Sequence, residues 1–165
     1  MLLKKGESVS LSARIAAYLP AQQDSLGEKV ANTPLTAMPF WDIERARVGK
    51  SRNVRVELIV NGESVDTALV AADGKLSDIR FTYKPVSSVW AALRIYPSSH
   101  SNPVFIKIDN KPIAVKSSAE WCIAALNQCW KMKEPAIRTA EKGAAQALYE
   151  KARKVYQEIA EKTEN

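Results

Sequence analysis

Polar and apolar residues alternate through the first two thirds of the chain and then change to a helical period. Ser8-Val9-Ser10-Leu11-Ser12-Ala13-Arg14-Ile15 has the two-residue repeat of a half-buried strand. Residues 20–39 carry Pro20, Pro34 and Pro39 and read as one long irregular connection, a kind of segment that in compact domains goes with function or docking. Trp41 to Val48 is expected as the next strand. Val54, Val56, Leu58 and Val60 then alternate with Arg55, Glu57 and Ile59 up to Asn61-Gly62, and a second run follows from Ser64 to Val70. Asn-Gly takes positive φ at both turn positions at little cost, which a type I′ hairpin needs.

Asp73-Gly74 marks another turn. Ile79, Phe81 and Tyr83 share one face of a further strand, and Pro85 ends it or marks an edge. Val89 to Tyr96 is more continuously apolar, as in a central strand covered on both faces. After the loop Pro97–Pro103, Val104–Ile108 and Pro112–Val115 flank Asp109-Asn110-Lys111 as a short hairpin. About eight short strands with turn signals between them point to a mainly antiparallel β-sandwich of immunoglobulin-like type over residues 1–116.

The period changes at residue 117. Ser117-Ser118-Ala119-Glu120 has the spacing of a capping box, and a helix is expected from there to about Lys133 with Trp121, Cys122, Ala125, Leu126, Cys129 and Trp130 as its packing face. Glu134-Pro135 breaks it, and Pro135 opens the first turn of a second helix. Ile137, Ala140, Ala144, Leu148, Ala152, Val155 and Ile159 form that helix's apolar stripe, with Glu150–Lys154 and Glu158–Lys162 as supporting pairs. Residues 117–165 are therefore expected as a C-terminal α-helical hairpin that covers its stripe by packing on the sandwich.

Composition removes function classes more than it selects one. The 165 residues are 46% apolar and 25% charged, which suits a globular chain and excludes a disordered or collagen-like one. No apolar run has the length needed to span a bilayer, and the start lacks a secretory signal. The net charge of +6 is spread along the chain, densest from Arg45 to Arg55. That stretch reads as a solvated strand-turn-strand face, since no nucleic-acid motif accompanies it. Cys122 and Cys129 lie two turns apart on one helix, too far to bond each other, and are expected as free thiols.

No phosphate loop, dinucleotide fingerprint, His-Glu-x-x-His or Cys-x-x-Cys occurs, and His100 is the only histidine. A multi-histidine metal site cannot come from one imidazole, so no catalytic, metal-binding or cofactor-binding residue is assigned. Asp42 with Glu44, and Asp24 with Glu28, are carboxylate pairs of the kind any acid-bearing surface holds. Two candidate sites remain. One is the polar loop Ser98, Ser99, His100 and Asn102, placed between two strands, where binding residues often sit. The other is Trp41 and Trp90, expected on strands, whose indoles could stack on sugar rings if exposed; Trp121 and Trp130 read instead as helix packing.

Several blocks resemble a known family. Trp41-Asp42-Ile43-Glu44-Arg45-Ala46-Arg47, Val56 to Gly62, Trp90 to Phe105 with its Pro97-Ser98-Ser99-His100, Ser118 to Cys122, Asn127 to Trp130 and Tyr149 to Tyr156 are similar to the C-terminal portion of the carbaryl-hydrolase-like branch of the polymerase-and-histidinol-phosphatase (PHP) metallohydrolases of bacteria. The similarity spans most of residues 40–156 and is loose over 7–39. It implies an accessory portion without the family's histidine-rich (β/α) catalytic domain, so none of that domain's metal ligands is carried onto this chain. It further implies a piece of a longer protein or a separately encoded one, with an exported parent in the periplasm or outside the cell.

The expected function is that of a non-catalytic accessory domain that stabilises such a catalytic domain or shapes its entrance. A carbohydrate-binding module and a module that self-associates through its helices are the alternatives. The expected partner is a PHP-type catalytic domain or a carbohydrate, with no nucleic acid, membrane or cofactor.

Overall fold

A computed structural model of the chain describes residues 1–34, 36–37, 41–97 and 99–163. Its contacts divide the chain into two compact units, Met1–Lys111 and Pro112–Asn165. The first unit is strand-rich. Its eight strands are β1 (Leu2–Leu3), β2 (Val9–Ile15), β3 (Asn53–Val60), β4 (Glu63–Ala71), β5 (Ser77–Tyr83), β6 (Val89–Tyr96), β7 (Ser99–His100) and β8 (Val104–Ile108). A mixed six-stranded sheet has the order β1-β8-β6-β3-β4, with β7 added on β6, and β2 and β5 form a separate antiparallel pair. Neither sheet closes on itself.

Alternation decides which side chains form the core. Val56, Leu58 and Val60 of β3, Val89 and Ala91 of β6 and Ile106 of β8 gather with Val9 of β2 and Ile79 and Phe81 of β5 in one apolar cluster. Leu58 and Ile106 lose essentially all contact with water, the environment in which each aliphatic side chain contributes most, roughly 1.5–3 kcal/mol. The β3–β4 hairpin turns at Asn61-Gly62 with φ of 49° and 99°, as the Asn-Gly pair requires. The register shifts between Leu58 and Ile59, so β4 carries a bulge. β4 has a neighbour on one side only, and there the Asp66 carboxylate accepts the Thr67 backbone N–H at 2.7 Å.

Several expectations are corrected. The connection after Pro20 is not wholly irregular, because α1 spans Ser25–Ala31. Asp24 caps it, accepting from the Gly27 N–H at 2.7 Å. Pro39 lies outside the described residues. Trp41 to Val48 is not a strand. It holds a 3-10 turn at Ile43–Arg45, anchored where Gln23 donates to the Arg45 carbonyl and Arg45 pairs with Asp24 at 3.2 Å. Asp42 and Glu44 therefore do not share a strand face. The basic stretch is solvated only in part, with Arg45 and Arg55 exposed and Arg47 and Arg52 half-buried. Arg47 donates to the Pro20 and Ala21 carbonyls, Arg52 donates to the Leu19 carbonyl at 2.9 Å, and Arg55 pairs with Glu57.

The expected hairpin at Asp109-Asn110-Lys111 does not form. Residues 112–115 are not a strand, and the free side of β8 is taken by β1 in parallel, with Leu2 opposite Lys107 and Leu3 opposite Ile108. β6 is central, yet only one of its faces is buried.

The second unit holds α2 (Lys116–Lys133), a 3-10 turn at Glu134–Ala136 and α3 (Thr139–Lys162). α2 starts one residue before Ser117, with Val115 in the capping position and no side-chain cap, so the serine–glutamate box is inside the helix rather than at its end. Pro135 sits in the 3-10 turn and α3 begins at Thr139. Trp130 and Tyr149 stack with centroids 5.1 Å apart, and Arg153 donates to Asn127, which runs the helices antiparallel. Cys122 and Cys129 are free. The Cys129 sulfur lies 3.1 Å from the Tyr149 hydroxyl, and this contact, with desolvation, holds that phenol above its usual pKa.

The packed stripe of α3 is rotated from the expected one. Ala145, Tyr149, Ala152, Tyr156 and Ile159 are half-buried, whereas Ala140, Ala144, Leu148 and Val155 are exposed. The tyrosine rings supply the apolar bodies that were assigned to leucine and valine. Trp121 is 70% exposed and is not a packing residue.

Candidate functional site

The face of the larger sheet turned away from the apolar cluster carries the site. With Val89, Ala91, Leu93 and Ile95 of β6 turned to the core, Trp90, Ala92, Arg94 and Tyr96 stand on the opposite face. Register then builds a surface from separate strands. Trp90 is opposite Phe105 of β8, Ala92 opposite Ile59 of β3, and Arg94 lies between Glu57 of β3 and His100 of β7. These residues enclose a groove of about 570 Å3, lined by Ile59, Trp90, Ala92, Arg94, His100 and Phe105 together with backbone around Gly62 and Ser101. This volume lies within the range of small-molecule sites.

Local bonds hold the groove's aromatic end. The Asn61 side-chain oxygen accepts the Trp90 N–H at 3.1 Å, and the Asn61 N–H donates to the Trp90 carbonyl at 3.0 Å. The turn residue that reverses β3 thus also clamps the strand bearing the indole. On the other side, Ser101 N–H donates to the Leu93 carbonyl at 2.8 Å and Ser101 Oγ accepts from the Leu93 N–H at 3.0 Å. His100 Nδ1 lies 3.0 Å from the Ser101 carbonyl, which can only accept, so Nδ1 carries the proton and Nε2 is left for other partners.

Next to the groove lies a buried acid. Glu57 is 4% exposed, although it stands on the outer face, because the arms of two arginines cover it. It accepts from Arg94 Nε at 2.7 Å, pairs with Arg55 Nε at 3.3 Å and accepts from Ser64 Oγ at 3.3 Å. The Arg94 hydrogen bond, reinforced by the charges of Arg94 and Arg55, holds its carboxyl below the ordinary range against the opposing effect of desolvation. Arg55 also lies 4.9 Å over the Tyr96 ring.

The structure separates the residues singled out from sequence. Trp90 and His100 meet in the groove. Ser99 is on β7 opposite Ile95 and faces a smaller cavity of about 150 Å3 beside Tyr18 and Tyr96. Asn102 is exposed and accepts from Ser101 Oγ through its carbonyl. Ser98 lies outside the described residues. Trp41 is 75% exposed in the segment before the 3-10 turn, away from the groove. Phe105, Arg94 and Ile59 were not singled out. The signal was the phase of alternation, since each is one position away from a core residue on its own strand. Among the described residues no three His, Cys, Asp or Glu side chains stand together as metal ligands, and no helix is long and apolar enough to cross a membrane. Comparison with family models, curated proteins and solved structures finds no match for the chain.

Proposed function

We propose that the chain is a non-catalytic accessory module with an immunoglobulin-like β-sandwich, which stabilises or shapes the entrance of a PHP-type metal-dependent hydrolase domain. The observation that carries a recognition role is the groove on the outer sheet face, where Arg94, its permanent charge among the described residues, is tied to a buried acid. Glu57 is kept ionised by two arginines, so near neutral pH it neither gives nor takes a proton. A face built in this way presents its groove for recognition of a surface or a ligand, with Glu57 serving as a fixed charge. The resemblance of Trp90 to Phe105 and of Ser118 to Cys122 to the family's C-terminal portion supplies the partner.

The test is co-expression with a histidine-rich PHP domain. The expected result is a complex that co-purifies and in which the catalytic domain melts at a higher temperature than alone. The chain by itself, loaded with zinc or manganese, should hydrolyse neither esters nor phosphoesters. A tightly held stoichiometric metal together with turnover overturns the proposal, as does a catalytic domain that neither binds the chain nor gains stability from it.

A carbohydrate-binding module is the second reading, favoured by the exposure of Trp41 and the position of Trp90 in the groove. Quenching of tryptophan fluorescence by a soluble polysaccharide, lost in Trp41→Ala or Trp90→Ala, supports that reading over the first.

A further inference from the structure

Resting on the recognition role given to the groove, we propose that it is a binding site for a small planar apolar anion of the aromatic carboxylate class. Its shape and lining select the flat apolar part. Trp90 and Phe105 are direct cross-strand neighbours that both line the groove, and Ile59 and Ala92 are the next pair along the sheet. An aromatic ring laid there covers two aromatic and two aliphatic side chains at once.

Its charge selects the anion. Among the described residues, Arg94 and His100 line the groove and no acidic side chain does. The acid that neutralises Arg94 lies beneath it, and Glu57 is shared with Arg55, so two guanidinium groups balance one carboxylate and the surface keeps a surplus positive charge. Among the described residues, Glu57 engages Arg94 through Nε. The outer nitrogens of that planar group are the part suited to a second carboxylate, and a guanidinium serves two acceptors at once through its fork of donors. His100 stands opposite Arg94 on β7 with its Nε2 available, and so offers a second polar contact at the same end. The groove therefore has an apolar end at Trp90 and a cationic end at Arg94, four residues or about 13 Å apart along β6.

The test is isothermal titration of the full chain with 2-naphthoate and with its neutral isostere 2-naphthamide. The carboxylate should bind saturably, about tenfold or more tightly than the carboxamide, since one charge-assisted hydrogen bond separates them. Added salt should weaken the carboxylate and leave the carboxamide unchanged. Phe105→Ala, which removes a half-exposed ring, should weaken both ligands, and Trp90→Ala should abolish both. Arg94→Gln should bring the two affinities together, and Arg94→Lys should keep part of the preference. If Arg94→Gln fails to fold, the carboxylate-to-carboxamide ratio and its salt dependence in the unaltered chain still decide the matter. Equal affinities, binding that survives Trp90→Ala in a folded variant, or no saturable heat up to about 1 mM ligand would overturn the proposal. The titration uses the chain without a hydrolase domain. A failed co-purification therefore leaves the ligand site standing, and a failed titration leaves the accessory role standing.

Discussion

Replacing Glu57 by Gln isolates the charge of a carboxylate enclosed by the sheet face. Glutamine keeps the volume and one acceptor oxygen, and gives up the charge and the second acceptor. Arg94 and Arg55 approach different carboxylate oxygens, at 2.7 Å and 3.3 Å, so glutamine can keep one of these acceptors and neither as an ionic partner. A hydrogen bond to a charged group is worth roughly 1.5–3 kcal/mol. Both arginines are nearly half exposed, 44% and 46%, so water replaces part of the loss, and the longer Arg55 contact is on the scale of a surface pair. The net cost at neutral pH should be about 2 kcal/mol, most of it from Arg94.

The pH dependence provides the stricter check. The folded-state pKa of Glu57 is lowered, so its contribution is complete above the unfolded value of about 4.3 and is lost as pH falls through the folded value. Glutamine does not titrate there. Urea unfolding of both proteins should give a gap of about 2 kcal/mol near pH 7 that narrows below about pH 4, with equal m-values. A gap that stays constant as the acid is titrated refutes the assignment to charge. A gap under about 0.5 kcal/mol at neutral pH means that water replaces the pair completely.

Other substitutions test the remaining features. Leu58→Ala, at a site without solvent contact, should cost about 2–5 kcal/mol by urea unfolding. A Cβ at Gly27 would stand 2.7 Å from the Arg45 carbonyl oxygen, so Gly27→Ala should destabilise by about 1–3 kcal/mol and speed hydrogen exchange in α1. Asn61→Gly keeps the turn but removes the acceptor of the Trp90 N–H; it should cost about 1 kcal/mol and shift the Trp90 amide in NMR spectra. Tyr149→Ala should lower the melting temperature several-fold more than Leu148→Ala, whose effect should stay within about 0.5 kcal/mol; the reverse order would restore the stripe expected from sequence.

The elements readable in the sequence were those with a local signature. Asn61-Gly62 between alternating runs located the β3–β4 hairpin, because two positive φ values in succession have few residue solutions. The misread segments are those where a distant group wins. Trp41 to Val48 alternates like a strand, but Arg45 and Arg47 spend their donors on residues near 20–24, which holds the segment as loop and turn. Residues 112–115 have strand composition, yet the edge they would pair with belongs to Leu2 and Leu3, a strand too short to show a period. Trp90 was visible as a lone aromatic. The groove was not, because Phe105 and Arg94 join it only through register across three strands, which no spacing within one strand encodes.

The bulged β4 strand has a bearing on how the molecule behaves in a crowd. Nine residues at a sheet margin, with no lysine or proline among them, would serve as a template on which a foreign strand could add. The Asp66 carboxylate occupies the Thr67 amide that such a strand would need, and the register shift near Ser64 and Asp66 spoils the regular ladder beyond it. Stacking copies in register would also set Asp66 against Asp66 and Glu63 against Glu63. The guard against strand addition at this margin is thus concentrated in one short acidic side chain at the rim of the sheet.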